Sequence, residues 1–245
     1  MIKPLIPAFA KKILTNFCAR GYKMIRQILV IAIPTTLTYS INSFLTFGMN
    51  QVLVGLSLAA PAVYIIYNRV RSFVALPVWG IRNTIISVVA YNMGAGYTGR
   101  VRRLISIAMK ASAAIMVVGT ALYETVPAVL LRIFSASNEM LGIGVPAFRI
   151  IGITLIISGM TIMMSGVFQA MNSSGKALAV SIVQAVSLVG SAALLSLRGS
   201  VTLVWFAFPV SEVIIFLLSL IFLRGIYRKY LPDEPMVSTG IAELI

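Results

Sequence analysis

A single carboxylate inside a long apolar stretch is the group in this sequence best placed to do chemistry. Glu212 stands in Phe208-Pro209-Val210-Ser211-Glu212, with thirteen uncharged residues before it and eleven after. A carboxylate in such surroundings must be protonated, paired or in contact with water. It reads either as a protonatable or cation-contacting group in a translocation cavity, or as the partner of an intramembrane arginine or of backbone freed by Pro209. A second polar set is Asn68, Ser72 and Asn83. These fall within about 60° of one helix face, because the eleven residues from Ser72 to Asn83 make nearly three turns at about 3.6 residues per turn. Arg69, Arg71 and Arg82 lie beside that stripe. Such a face either walls a water-filled cavity or glues helices together, with the arginines snorkelling to headgroups in the second case. Gln169 and Gln184 are further candidates for a pathway lining, with helix cross-linking as the alternative. Glu124 reads as interfacial, near the end of its apolar stretch.

What is missing narrows the chemistry further. The sequence has no histidine, one cysteine (Cys18) and six carboxylates in 245 residues. That removes a Ser-His-Asp triad, a His-ligated or CxxC metal site and an intramolecular disulfide. An enzyme is not expected without histidine or paired carboxylates, and no catalytic or metal-binding residue is assigned. The chain is 59% hydrophobic and 11% charged, against roughly 45–50% and about 25% in soluble domains. A soluble core could not hide that much apolar surface, so the lipid bilayer is the expected solvent.

The elements that must position these residues are therefore membrane helices. Residues 27–68, 150–175 and 177–197 carry no charge, and a spanning helix needs roughly 20 apolar residues. Six helices are expected, at about 24–52, 60–92, 103–132, 144–170, 177–197 and 201–224. Breakers fall between them at Gly94-Ala95-Gly96, Asn172-Ser173-Ser174-Gly175 and Arg198-Gly199-Ser200. Pro34, Pro77, Pro127 and Pro209 are expected to kink their helices without breaking them. Small residues such as Gly152, Ser158, Gly159, Ser165 and Gly166, and later Ser181, Ser187, Gly190 and Ser191, suit close helix packing. Residues 1–23 read as a basic amphipathic cytoplasmic connector on the inner membrane surface, 24–224 as the six-helix lobe, and 225–245 as a cytoplasmic tail, polar and disordered from Leu231.

The net charge of +14 sorts by side. Fourteen of the twenty Lys and Arg residues precede the first span, join spans two to three and four to five, or follow the sixth. Those positions share one face of the membrane if there are six spans, so both termini are expected in the cytoplasm of a plasma-membrane protein. The same segregation makes the charge a topology signal and removes nucleic acid as a partner.

A family resemblance emerges from the motifs taken in order. Gly80-Ile81-Arg82-Asn83, Ser87 and Tyr91-Asn92-Met93-Gly94-Ala95-Gly96 resemble the signature "G-x-x-(Q/N)…(Y/Q)-N-x-G-A" of multidrug and toxic compound extrusion (MATE) transporters. Ile33-Pro34, Arg132-Ile133-Phe134-Ser135 with Glu139, Phe148-Arg149-Ile150, Phe168-Gln169-Ala170-Met171 with Gly175-Lys176, and Pro209-Val210-Ser211-Glu212 resemble further motifs of the same family, in the same order. The resemblance implies an all-α polytopic fold, with six helices corresponding to one lobe, the C-terminal one, of a twelve-helix transporter. It implies cation-coupled (H+ or Na+) antiport of small organic compounds, cationic or amphipathic, and no other cofactor. Some members hold the coupling cation on carboxylates of the first and fourth helices of this lobe. Neither 27–51 nor 145–170 contains an acid, so the coupling site is expected outside this lobe. The opposite wall of the cavity would be an N-terminal six-helix half or a second copy. The rival readings are a lipid-linked saccharide flippase of the same superfamily and a non-transporting subunit or truncated fragment. A basic cavity would favour a polyanionic lipid, and a cavity charged only by Glu212 would favour cations.

The charge pattern makes a direct prediction. In a Cys18→Ser background, cysteines placed at Asn138 and Gly199 should react with a membrane-impermeant thiol reagent added outside, and one at Thr98 should not. Preferential external labelling at Thr98 would reverse the orientation.

Overall fold

The computed structural model describes residue 29 and residues 32–231. Among them every regular element is helical. A first helix, α1, runs over 32–54. It is followed by α2 (Ala60–Gly94), α3 (Thr98–Thr125), α4 (Pro127–Ile133), α5 (Asn138–Gly152), α6 (Leu155–Ala170), α7 (Ser174–Ser196), α8 (Val201–Trp205) and α9 (Ala207–Tyr230). By length and composition α2, α3, α7 and the α8–α9 unit can each cross a membrane, and α5 with α6 forms a fifth span bent by 56°. Over 32–54 α1 is uncharged and, at about 1.5 Å per residue, about 35 Å long. The expected connector at 1–23 and the tail beyond Leu231 lie outside the described residues. The helix α9 continues to Tyr230, through the first residues of the expected tail.

Three expected spans are broken, at 103–132, 144–170 and 201–224, and two of the breaks fall at prolines expected only to kink their helices. Pro127 opens α4 at its first position, and α3 stops at Thr125. Pro209 lies in the first turn of α9, with α8 ending at Trp205. A proline ring clashes with the carbonyl four residues earlier and disfavours helical backbone at the residue before it. Those carbonyls belong to Tyr123 and Trp205, at the ends of the preceding helices. Pro77, by contrast, stays inside an unbroken α2. The bend between α5 and α6 has a polar cause as well, for the Thr154 hydroxyl donates to Ile151 O at 2.7 Å and so competes with the helical ladder.

The helix α6 is the centre of the bundle, packed by α2, α3, α7 and α9. Glycines make its close approaches possible. A β-carbon at Gly159 would lie 2.5 Å from Met116 Cγ of α3, and one at Gly152, the last residue of α5, would lie 2.8 Å from Tyr123 Cβ. In the opposite direction, one at Gly119 of α3 would meet Val74 of α2 at 2.3 Å. Gly190 in α7 differs from the expectation: a β-carbon there would meet no other helix within 4 Å, so it is not a packing glycine. A buried aromatic group of Tyr64, Tyr67, Tyr123, Phe148, Trp205 and Phe208 fills the end of the bundle beside the broken helices.

The glycine contacts separate two outcomes. Gly159→Val should destabilise the α3–α6 seam by about 1–3 kcal/mol, the usual cost of overpacking, and lower the thermal midpoint of the detergent-solubilised chain. Gly190→Ala should leave that midpoint unchanged or raise it slightly, because it adds helix propensity in open space. Equal effects would show that the seam is not close-packed.

Candidate functional site

The side of α6 away from its glycine seam is polar. Ser158, Thr161 and Ser165 recur at i, i+3 and i+7, which keeps them on one helix face. They look into a cavity of about 290 Å³ bounded by α1, α2, α6, α7 and α9. Thr38, Asn42 and Thr46 of α1, Asn68, Arg71, Ser72 and Arg82 of α2, Gln184 of α7 and Glu212 of α9 complete most of its polar wall. The apolar part includes Trp79, Leu188 and Phe208.

Of the pathway residues expected from sequence, Glu212, Asn68, Ser72, Arg82 and Gln184 line this cavity, whereas Asn83 and Gln169 do not. Asn83 is exposed on the flank of α2, where its Oδ1 accepts a long 3.5 Å hydrogen bond from Arg82 Nη1. Gln169 sits one residue from the end of α6, past the polar face. Ser158, Ser165 and Ser181, expected as packing residues, face the cavity instead. Ser187 bonds Ser211 across α7 and α9 at 2.8 Å, which is the helix-to-helix role expected of it.

Glu212 is not isolated. Arg71 Nη2 lies 3.6 Å from Glu212 Oε1, joining α2 to α9, and the same Nη2 donates to Ser158 Oγ of α6 at 2.9 Å. The carboxylate is the more deeply set partner, with 9% of its side chain accessible against 30% for Arg71. Its Oε2 is buried without a hydrogen-bond donor. The three neighbouring arginines of α2 therefore separate. Arg69 is exposed, Arg71 pairs with Glu212, and Arg82 is buried on the cavity wall. Glu124, one residue from the end of α3, is only partly exposed, and its Oε1 is buried without a donor.

The motif residues shape the ends of helices. Asn92 Nδ2 donates to Val88 O at 2.8 Å and Asn92 O accepts from Tyr97 N at 2.9 Å, which closes the last turn of α2. Gly94 is the last residue of α2 and Ala95 its C-cap. Gly96 then takes a φ of +78°, a left-handed conformation that costs glycine nothing. Gly80 has open space around it and Tyr91 is exposed, so neither packs within the described lobe.

The comparisons with known proteins now decide the family. The MatE family model matches residues 34–195. The chain belongs to the MatE family. No curated protein matches it in sequence. Among solved structures, an outward-facing multidrug resistance MATE transporter of the MOP superfamily matches with a TM-score of 0.79 at 18% identity, over 86% of this chain and 48% of that one. A MATE transporter in complex with MaL6 matches at 0.77 and 19% identity, over 83% and 47%. A MOP-superfamily transporter from Pyrococcus furiosus, for which a reversed polarity of the binding pocket suggests a different function, matches at 0.75 and 19% identity, over 81% and 45%. This MatE chain thus has the fold of one lobe, and it spans about half the length of each solved structure it matches.

The geometry generates a prediction about the ion pair. Arg71→Gln should lower stability by about 1–3 kcal/mol, because it leaves a buried carboxylate uncompensated, moderated by the opening of the pair to the cavity. Glu212→Gln should cost less, since the amide can still accept from Arg71 and the arginine reaches cavity water. Equal midpoints for both variants and the parent would show that the pair does not tie α2 to α9.

Proposed function

We propose that this MatE chain forms one wall of an export pathway for small, amphipathic organic solutes across the plasma membrane, with both termini cytoplasmic. The observation that carries the reading is the polar cavity lined by five apolar helices, with Arg71 of α2 and Glu212 of α9 in contact at its wall. Intramembrane polar groups that converge on a cavity are costly unless water or a solute meets them there. A secondary transporter places its solute between two repeats that rock against each other, and this chain supplies a single lobe. The opposite wall is then an N-terminal six-helix half or a second copy. Two facing copies would bring together walls that each carry two arginines against one carboxylate, and like charges repel. A heterologous half is therefore the favoured complement.

A Na+ coupling site is assigned outside this lobe. Arg71, 3.6 Å from the cavity's one carboxylate among the described residues, repels Na+ from that site. A proton can still compete for Glu212, and its unpartnered Oε2 is the atom that would take it. A lipid-linked saccharide flippase is the second reading, favoured by the two arginines on the wall against one carboxylate.

The test expresses the chain alone, and with a six-span half encoded beside it, in an efflux-deficient host. Energy-dependent export of an amphipathic dye is expected only from the paired chains. In that assembly Glu212→Gln should reduce export at least about tenfold, with membrane protein levels nearly unchanged. Robust export by a monomer would contradict the half-transporter reading. The lack of export by any assembly would leave the chain a non-transporting subunit.

A further inference from the structure

We propose that Arg82 is an oxyanion-binding site in the cavity, taking the carboxylate or phosphate of an amphipathic solute. The inference rests on the cavity being a solute pathway and names the charge of what enters it. Three observations carry it. Arg82 is only 4% exposed, yet it lies on the cavity wall. A buried guanidinium ordinarily has a carboxylate partner, since an unpaired charge removed from water is costly. Among the described residues, the carboxylates are Glu124, Glu139 and Glu212, and the one on the cavity wall is held by Arg71. Arg82 has instead a 3.5 Å hydrogen bond to the neutral Asn83 and the face of Trp79, whose ring centroid lies 5.1 Å from its guanidinium carbon.

The site is built rather than incidental. A β-carbon at Gly166 of α6 would lie 2.8 Å from Arg82 Cγ, so the arginine stem lies across the bare backbone of α6. That contact and the Trp79 ring hold the guanidinium on the wall. A planar guanidinium has five donors in a fork that matches carboxylate and phosphate oxygens. One long bond to Asn83 leaves most of them for a ligand. With two guanidiniums and one carboxylate, the cavity wall has a formal charge of +1 among the described residues. An organic cation would meet that surplus at a cost, and an anion would neutralise it. The apolar part of such a solute would face Trp79, Leu188 and Phe208.

Trp79 provides the readout, because it stacks on the proposed site and Trp205 is the other tryptophan of the chain. The full chain in phosphatidylcholine nanodiscs is titrated with octyl phosphate, octanoate and octyltrimethylammonium while tryptophan emission is followed. The two anions should give saturable changes that vanish in Trp79→Phe, and the cation should not. Arg82→Gln should weaken the anions at least about tenfold. Arg82→Lys should weaken them less, and Arg69→Gln, outside the cavity, should have no effect. Circular dichroism and gel-filtration mass confirm that each variant is folded. Discs containing phosphatidic acid separate the two sources of phosphate. If a lipid headgroup is the ligand, those discs shift Trp79 emission before any addition, and octyl phosphate competes. If the ligand is a free anion, they match plain discs. Anion binding unchanged in folded Arg82→Gln, or preferential binding of the cation, would overturn the proposal. Intact anion binding without export by any assembly would sink the pathway reading alone. Export without anion binding would sink this site alone.

Discussion

The contact between Arg71 and Glu212 is the constraint around which the lobe is arranged. Two ionised groups in apolar helices must find each other, water, or both. Here they meet at 3.6 Å, from α2 and α9, and Ser158 of α6 accepts from the same guanidinium nitrogen. Three helices far apart in sequence are thereby tied at one point of the cavity wall. Arg71 opens onto the cavity, and Glu212 is the more deeply set partner on the same wall. The two faces of α6 follow from this position. Its glycines must admit α3 and the Arg82 stem, while its hydroxyls must face the charged groups.

Much of this was legible in the sequence because charge in an apolar run is conspicuous. Glu212, Asn68, Ser72, Arg82 and Gln184 all reach the cavity. The order of the motifs pointed to the family, and the uncharged runs gave the bundle. Other features escaped for physical reasons. Thr38, Asn42 and Thr46 recur every four residues along α1, but hydroxyls in apolar helices commonly satisfy themselves locally. Thr38 donates to Pro34 O at 2.8 Å and Thr46 to Asn42 O at 2.9 Å. Such residues look structural until the fold shows which face is open. Arg69 and Arg71 could not be told apart by spacing alone, since the rotation of α2 is fixed by its packing on α3 and α6. The breaks at Pro127 and Pro209 were missed because a proline inside a membrane helix can kink or end it, and neighbouring contacts decide which.

The exposed side of α2 bears on what completes the molecule. Arg69 and Asn83 leave polar groups on the outside of an otherwise apolar helix, and Gly80 and Tyr91 of the family motif are unpacked there too. Lipid is a poor solvent for such a stripe. A lobe that spans about half the length of the structures it matches has a ready use for it, as the wall that faces its complement.

A solute pathway through this lobe requires the cavity to be aqueous within the membrane. The most direct measurement is the reaction of single cysteines with a small hydrophilic thiol reagent, in a Cys18→Ser background of the membrane-inserted chain. Ser165 and Ser181 line the cavity, whereas Val186 and Leu194 are exposed on the outside of α7 at 69% and 70%. Cysteines at the first two positions should react readily, and cysteines at the last two should resist. Equal reactivity at all four, or reaction confined to 186 and 194, would contradict a water-filled pathway through this lobe.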